Sequence, residues 1–259
     1  MVKIMKSPKV TIITVCFNSR RTIEKTIKSV LSQNYKNIEY IVIDGASKDN
    51  TLKIVNKYKS RISKVVSEPD KGIYDAMNKG LKYARGDIVG FLNSDDVYKD
   101  DKVISRIVKE VKDKQVDAVY GDVVYVDNEG KIVRHYKSFK NAMKGFRKGY
   151  CPAHPTFFAR KELYDKYGGF VIRYRFAADF ELMLRLLGGK NVKYSLIPDV
   201  LVKMRTGGQA TASLKNIFRS NKEVHRISKK YGLGVGWFKI MVKLGRKWIH
   251  MKTQKAKRV

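Results

Sequence analysis

Three times in its first hundred residues this chain passes from a short β-branched run, through polar residues, to apolar residues at helical spacing. The first run, Val10 to Val15, reads VTIITV, and such continuity belongs to a strand covered on both faces of a parallel sheet. Asn18 and Ser19 follow it, and Ile23, Ile27, Val30 and Leu31 then recur on one helical face. Tyr40 to Ile43 is a second strand ending in Asp44-Gly45, and its helix carries Leu52, Val55 and Tyr58 with Ser47 or Asp49 as cap. A third strand, Ile62 to Val66, leads through Glu68-Pro69-Asp70-Lys71-Gly72 to a helix bearing Ile73, Met77, Leu81 and Ala84. Gly86 ends that helix, and the strand Ile88 to Leu92 follows.

This alternation predicts an α/β fold: a mostly parallel, Rossmann-like sheet with right-handed crossovers, flanked by helices. Ligands of such sheets bind beyond the carboxyl ends of the strands. Asn18, Asp44, Asp70, Asn93, Asp95 and Asp96 all fall there.

The second half is less regular. A helix with Ile104, Ile107, Val108 and Val111 precedes two segments, Ala118 to Val126 and Lys131 to Tyr136, that flank Asp127-Asn128-Glu129-Gly130 as a hairpin. The loop Cys151-Pro152-Ala153-His154-Pro155 enters a strand at Thr156 to Ala159. A short helix, a helix from Ala178 to Leu187, and strands near Val192 to Ile197 and Leu201 to Arg205 complete the expected domain, 1–212, with halves 1–100 and 101–212.

Residues 213–259 form a basic helical extension, with 14 Lys or Arg against the single acid Glu223. One helix there carries Leu214, Ile217, Phe218, Val224 and Ile227. The next carries Trp237, Ile240, Met241, Leu244 and Trp248, with Lys239, Lys243, Arg246 and Lys247 around its other face. That pattern fits an interfacial helix on an anionic membrane, and equally an apolar stripe docked on the domain.

The whole chain bears a formal charge of +31, enough to attract phosphates, nucleic acid or anionic lipid. Its 43% hydrophobic content and five prolines exclude a disordered chain. Cys16 and Cys151 lack metal-ligand spacing, which points to reduced thiols and a cytoplasmic protein. No apolar run reaches the roughly 20 residues of a membrane span, and no export signal is expected.

Asp95 and Asp96, directly after a buried strand, are hard oxygen donors for a divalent cation that would share diphosphate oxygens. The alternative is a cap for the helix after Asp100. The runs VTIITVCFN, YIVIDGASKDNT and SEPDKGIYDAMNKGLKYARGDIVGFLNSDD, in that order, resemble the nucleotide-sugar half of family 2 glycosyltransferases with the GT-A fold.

The resemblance implies that Val15, Phe17, Asn18 and Asp44 hold nucleobase and ribose and that Asp70 positions the base. It makes Asp95 a ribose or metal contact and Asp96 the direct ligand of Mn²⁺ or Mg²⁺. Asn93 and Ser94 stand where many members have Asp and Ala or Ser, so with Asn in the first place metal binding rests more heavily on Asp96. His154 is placed near acceptor and diphosphate, as a further candidate for the metal. Arg205 is expected at the diphosphate, before a Gly207-Gly208 loop that resembles one closing over the nucleotide. The segment Ala178 to Arg185 is similar to the family's acidic segment; Asp179 inherits the role of general base, with Glu181 in reserve on the acceptor side.

The implied activity is inverting transfer from a nucleoside diphosphate sugar, a UDP-sugar first, to a hydroxyl of a lipid-linked or polysaccharide glycan. The implied place is the inner face of the cell membrane, held peripherally. Two rivals remain. A metal-dependent nucleotidyltransferase shares the sheet, but needs a Gly-rich basic loop where this chain has Cys16-Phe17-Asn18-Ser19. A nucleic-acid-binding protein explains the charge, yet no helix-turn-helix, zinc-finger or RRM signature is present, and no specific nucleic acid is expected.

Overall fold

In the computed structural model, which describes residues 7–207, 213–237 and 239–241, successive residues of the first strand enter two different cores. Strand β1 (Val10–Cys16) sends Ile13 and Val15 to one side and Val10, Ile12 and Cys16 to the other. Helix α1 (Ile23–Leu31) covers the second side with Ile23, Ile27 and Val30, while α3 (Ile73–Tyr83) covers the first with Ala76, Met77 and Leu81. Two covered faces are why the run is apolar without interruption.

β1 pairs in parallel with β2 (Ile38–Asp44), from Val10↔Ile38 to Cys16↔Asp44, and on its other side with β4 (Ile88–Phe91). β2 in turn holds β3 (Lys64–Ser67), and α2 (Thr51–Asn56) lies between them in sequence. These four strands form the parallel half. The sheet continues through β8 (Phe158–Arg160), antiparallel to β4, then β6 (Ala118–Val126), β9 (Tyr194–Arg205) and the two-residue β5 (Val97–Tyr98). β7 (Ile132–Tyr136) makes the expected hairpin with β6. The remaining helices are α4 (Val103–Lys114), α5 (Ala142–Phe146), α6 (Lys161–Tyr167), α7 (Ala178–Leu187) and α8 (Leu214–Lys230).

The structure differs from the sequence reading in identifiable places. The two strands expected near Val192–Ile197 and Leu201–Arg205 are one, β9, whose register against β6 shifts between Tyr120 and Asp122. Pro198, without an N–H to give the ladder, lies in the shifted stretch. β5 and α5 were not anticipated; α5 starts where the Asn141 side chain accepts the Lys144 N–H. Ahead of α2, Asp49 accepts the Thr51 N–H at 2.9 Å, whereas Ser47 is engaged by Asp44. At α4, Asp100 accepts the Lys102 N–H, so Asp95 and Asp96 are not consumed as caps.

In the extension, Ser213 caps α8 by accepting the Asn216 N–H, and Val224 and Ile227 join the core of α7. Trp237 stacks on Phe218 with ring centroids 5.6 Å apart, and Ile240 is buried. Leu244, Trp248, Lys243, Arg246 and Lys247 of the expected last helix, and Gly208, lie outside the described residues. Among the described residues no helix is long and apolar enough to cross a membrane.

Candidate active site

The carboxyl ends of β1, β2 and β4 open on one side of the sheet, and there the chain builds a cleft of about 480 Å³. Asn18, Ser94, Asp95 and Arg205 line it, together with Ser19, Arg20, Arg21, Thr22 and Asp49, which the sequence reading did not single out. Asn18 turns the chain out of β1 in a left-handed conformation, φ 50°. Its N–H is given to Ser47 Oγ and its side-chain oxygen accepts the Lys48 N–H, so the loops after β1 and β2 are tied together. Ser19 and Ser94 hydroxyls meet at 2.8 Å and tie the β1 loop to that of β4.

Beside this cleft, Phe17 is exposed and Asp70 is half-buried, with Asp70 Oδ1 accepting the Gly72 N–H. A Cβ placed on Gly45 would overlap Asp70 Oδ2 and lie 3.4 Å from the Phe17 ring, so these three residues converge. Val15 is buried in the α3-side core and does not line the cleft. Asp44 is fully buried. Its oxygens accept the Ser47 N–H at 3.0 Å, the Ser67 hydroxyl at 2.7 Å and the Cys16 thiol at 3.6 Å, besides the Ser47 hydroxyl. Burial, then the Asp44 charge, pushes the Cys16 thiol far up, so it stays a donor.

The Asp95-Asp96 pair is poor in donors. Asp95 is exposed at the cleft; Asp96 is buried, reached by the Asn93 amide at 3.2 Å and by the Arg205 backbone N–H. Burial, reinforced by the neighbouring Asp95 charge, raises the Asp96 carboxyl well above the usual range. Burial raises Asp95 too, while Arg205 opposes it. Arg205 arrives because β5, only one residue beyond Asp96, pairs with β9 through Val97↔Lys203. Asn128 Oδ1 then holds the guanidinium by bonds of 3.1 and 2.7 Å. Hard oxygens, an under-satisfied buried carboxylate and a buried Asn93 Oδ1 without a donor suit a divalent cation.

His154 does not join that pair: among the described residues no three His, Cys, Asp or Glu side chains converge. The turn His154–Thr156 instead puts its ring on Phe91, centroids 5.6 Å apart, and edge-on to Phe170. Among the described residues both ring nitrogens are buried without partners, and burial lowers its pKa, against a partial pull upward from Asp179. This assigns it a neutral place beside Asp179 rather than a metal ligand's.

Asp179 sits in the first turn of α7, half-buried. Its Oδ1 accepts the Tyr74 hydroxyl at 3.2 Å and the Phe180 N–H at 2.8 Å, so among the described residues Oδ2 has no donor. Burial and then the Asp179 charge raise the Tyr74 phenol well above its ordinary pKa, which keeps it protonated as that donor. Tyr74 lies one residue into α3, a position with no sequence signal beyond helical spacing. Glu181, expected on the acceptor side, faces the interior: its side chain is 1% exposed and paired with Arg185 at 2.9 Å. Two positions along a helix is a turn of about 200°, which takes it away from Asp179.

Comparison with known proteins bears on this arrangement. The family model described as Glycosyl transferase family 2 matches residues 11–178. An uncharacterised glycosyltransferase of Mycobacterium tuberculosis is 33% identical over 69% of this chain and 69% of its own length. The UDP-Glc:alpha-D-GlcNAc-diphosphoundecaprenol beta-1,3-glucosyltransferase WfaP of Escherichia coli is 29% identical over 85% of this chain and 87% of its own. Among solved structures, residues 1–349 of Staphylococcus aureus TarS in complex with UDP superpose with a TM-score of 0.67 at 21% identity, over 85% of this chain. This chain spans only 64% of that one. The mannosyltransferase PcManGT from Pyrobaculum calidifontis, in complex with GDP-Man and Mn²⁺, gives 0.61 at 17% identity over 95% of this chain and 84% of that one. The matched residues run from β1 to the first residue of α7, through the ends of β1, β2 and β4 at the cleft, and the chain belongs to glycosyl transferase family 2, a glycosyltransferase with the GT-A fold.

Proposed function

We propose that this glycosyltransferase moves a sugar from a UDP-sugar to a hydroxyl of a lipid-linked or polysaccharide glycan, with inversion at the anomeric carbon. The observation that carries the reading is Asp179: a carboxylate with one oxygen held by Tyr74 and the Phe180 N–H and the other, among the described residues, without a donor. In this reading Oδ2 takes the proton of the acceptor hydroxyl as that oxygen bonds to the anomeric carbon. The bond from that carbon to the diphosphate breaks, and UDP leaves with the electron pair. No side chain is assigned as a covalent nucleophile, so a single displacement, and hence inversion, follows. Phe17, Gly45 and Asp70 form the wall for the base, while Asn18, Arg20, Arg21 and Arg205 offer donors towards the diphosphate. A divalent cation, Mn²⁺ or Mg²⁺, would be held by Asp96 with Asp95 and would offset charge on the departing diphosphate. UDP is favoured because two similar proteins are named for UDP or UDP-Glc.

A thermal-shift panel of UDP-, GDP- and TDP-sugars with and without Mn²⁺ tests the donor, since a bound ligand raises stability with its affinity. UDP-sugars giving the largest, Mn²⁺-dependent rise is the expected result. Asp179→Asn should lower kcat by about 10²–10⁴-fold with UDP binding intact; normal turnover in that variant would remove the base assignment.

The peripheral membrane position is supported by the outer face of the extension. Leu214 and Phe218 are 85% and 57% exposed, Trp237 stacks on Phe218, Met241 is exposed too, and Lys215, Arg219, Lys222 and Lys239 on the same helical segments are exposed. Apolar side chains ringed by cations suit an anionic bilayer. Flotation with phosphatidylglycerol but not phosphatidylcholine vesicles, reduced in Phe218→Ser, is expected; equal partitioning into both overturns it.

A further inference from the structure

Helix α7 begins badly by its own sequence. The residue at its N-cap is Ala177, which has no side-chain acceptor, and no side chain of the helix's own caps its first turn from that position. The backbone that leads into it is held instead from the extension. Glu223, on α8, takes the Phe176 N–H at 2.8 Å and the Ala177 N–H at 2.9 Å on one oxygen, and the Arg175 N–H at 3.0 Å on the other. It is the one acidic residue among the last 47. Eight residues on, the Tyr231 hydroxyl donates to Glu181 Oε1 at 2.5 Å, so α8 grips α7 at two points. Burial, then Glu181, pushes the Tyr231 phenol up to about 12, which keeps that donor protonated. Arg185 completes the grip, joining Glu181 to the Gly169 carbonyl at 2.7 Å.

We infer that Glu223 is a positioning residue for Asp179. The inference rests on the reading of Asp179 as the base. Three charge-assisted hydrogen bonds fix the backbone immediately before α7, and Asp179 is the second residue of that helix. The Asp179 carboxylate has to meet an acceptor hydroxyl at hydrogen-bond distance, and a displacement of about 1 Å is enough to cost roughly 100-fold in rate. The basic extension thereby has a task in the chemistry while touching neither donor nor acceptor. It also explains why an otherwise cationic segment keeps one carboxylate: a Lys or Ala at 223 leaves three N–H groups without an acceptor.

The test compares full-length wild type with Glu223→Ala, Glu223→Gln and Asp179→Asn. Turnover is followed as UDP release by the most stabilising sugar nucleotide of the panel, with water as acceptor. Hydrogen exchange at residues 175–180 is followed alongside. Glu223→Ala should lose about 100-fold in kcat with the donor KM within about twofold, and Glu223→Gln, which keeps one acceptor oxygen but no charge, should recover only to about tenfold below wild type. Both should exchange faster at 175–177. Wild-type kcat in Glu223→Ala together with an inactive Asp179→Asn overturns this inference and leaves the base in place. Wild-type turnover in Asp179→Asn removes the base and this inference with it. If Glu223→Ala does not fold, Glu223→Gln decides: a tenfold lower kcat at unchanged KM supports positioning, and an unchanged kcat refutes it.

Discussion

Asp44 and Asp96 stand near the carboxyl ends of two strands of the same sheet, both are buried, and their surroundings are opposite. Asp44 accepts from two serine hydroxyls, a backbone N–H and a thiol. Asp96 has an asparagine amide at 3.2 Å, the Arg205 backbone N–H and a second carboxylate as its sequence neighbour, and its pKa still stands well above the usual range. Buried carboxylates cost free energy unless they are bonded or paired. The first is therefore a finished structural joint holding the β2 loop against β3. The second is left short of partners, and an arriving cation would supply them. A list of acidic residues at strand ends does not distinguish the two; the neighbours do.

One substitution tested at both places breaks or sharpens that contrast. Asp96→Asn should lower transfer by about 10²–10³-fold through lost charge stabilisation at the diphosphate, and should abolish the Mn²⁺-dependent thermal shift with UDP. In EDTA at neutral pH the same variant should melt higher than wild type, because it removes a buried carboxylate whose pKa is raised by burial. The sign follows from linkage. A folded pKa above the unfolded one gives stability that is present at low pH and lost as pH rises through the folded value. The melting difference should therefore close on acidification and open above the usual carboxylate range. A melting temperature below wild type at pH 7 defeats the contrast. Asp44→Asn should go the other way and cost about 2 kcal/mol, since an amide N–H₂ must face one of the existing donors. That corresponds to a melting temperature lower by roughly 5 °C.

How much of this was readable beforehand follows the same division. The parallel half was legible because both faces of β1 and β2 are covered, so their sequences are apolar throughout, and polar residues can appear only where the strands end. The limits of α7 were also legible from Ala178 to Leu187. What could not be read depends on partners distant in the chain. Arg205 reaches Asp95 through a two-residue strand, β5, too short to leave a pattern. Tyr74 supports Asp179 from 105 positions away, and Glu223 holds the backbone ahead of α7 from 46 to 48 positions away. His154, at a Pro-bounded turn, reads like a loop ligand, and only the fold shows that Phe91 and Phe170 take its ring. One continuous strand hid likewise: two are expected on either side of Pro198, and β9 carries that proline within a shift of register.

The smallest expected effect tests the donor side of the contrast without touching a carboxylate. Gly45 follows Asp44 directly, and its missing Cβ leaves room for Asp70 Oδ2, with the Phe17 ring next to it. In Gly45→Ala the new methyl group cannot be accommodated while Asp70 keeps its bond to the Gly72 N–H, so that carboxylate must turn away. Asp44 lies on the other side of the backbone with its donors untouched, and the loop it holds has no reason to unfold. The expected result is UDP affinity lower by about tenfold, or about 1.4 kcal/mol, with a melting temperature within a degree or two of wild type. Such a split means that the joint made by Asp44 and the wall made by Phe17 and Asp70 are separable parts. A fall in melting temperature as large as that of Asp44→Asn, with affinity unchanged, means instead that Gly45 belongs to the joint. The Asp70 carboxylate would then face solvent rather than a nucleotide base.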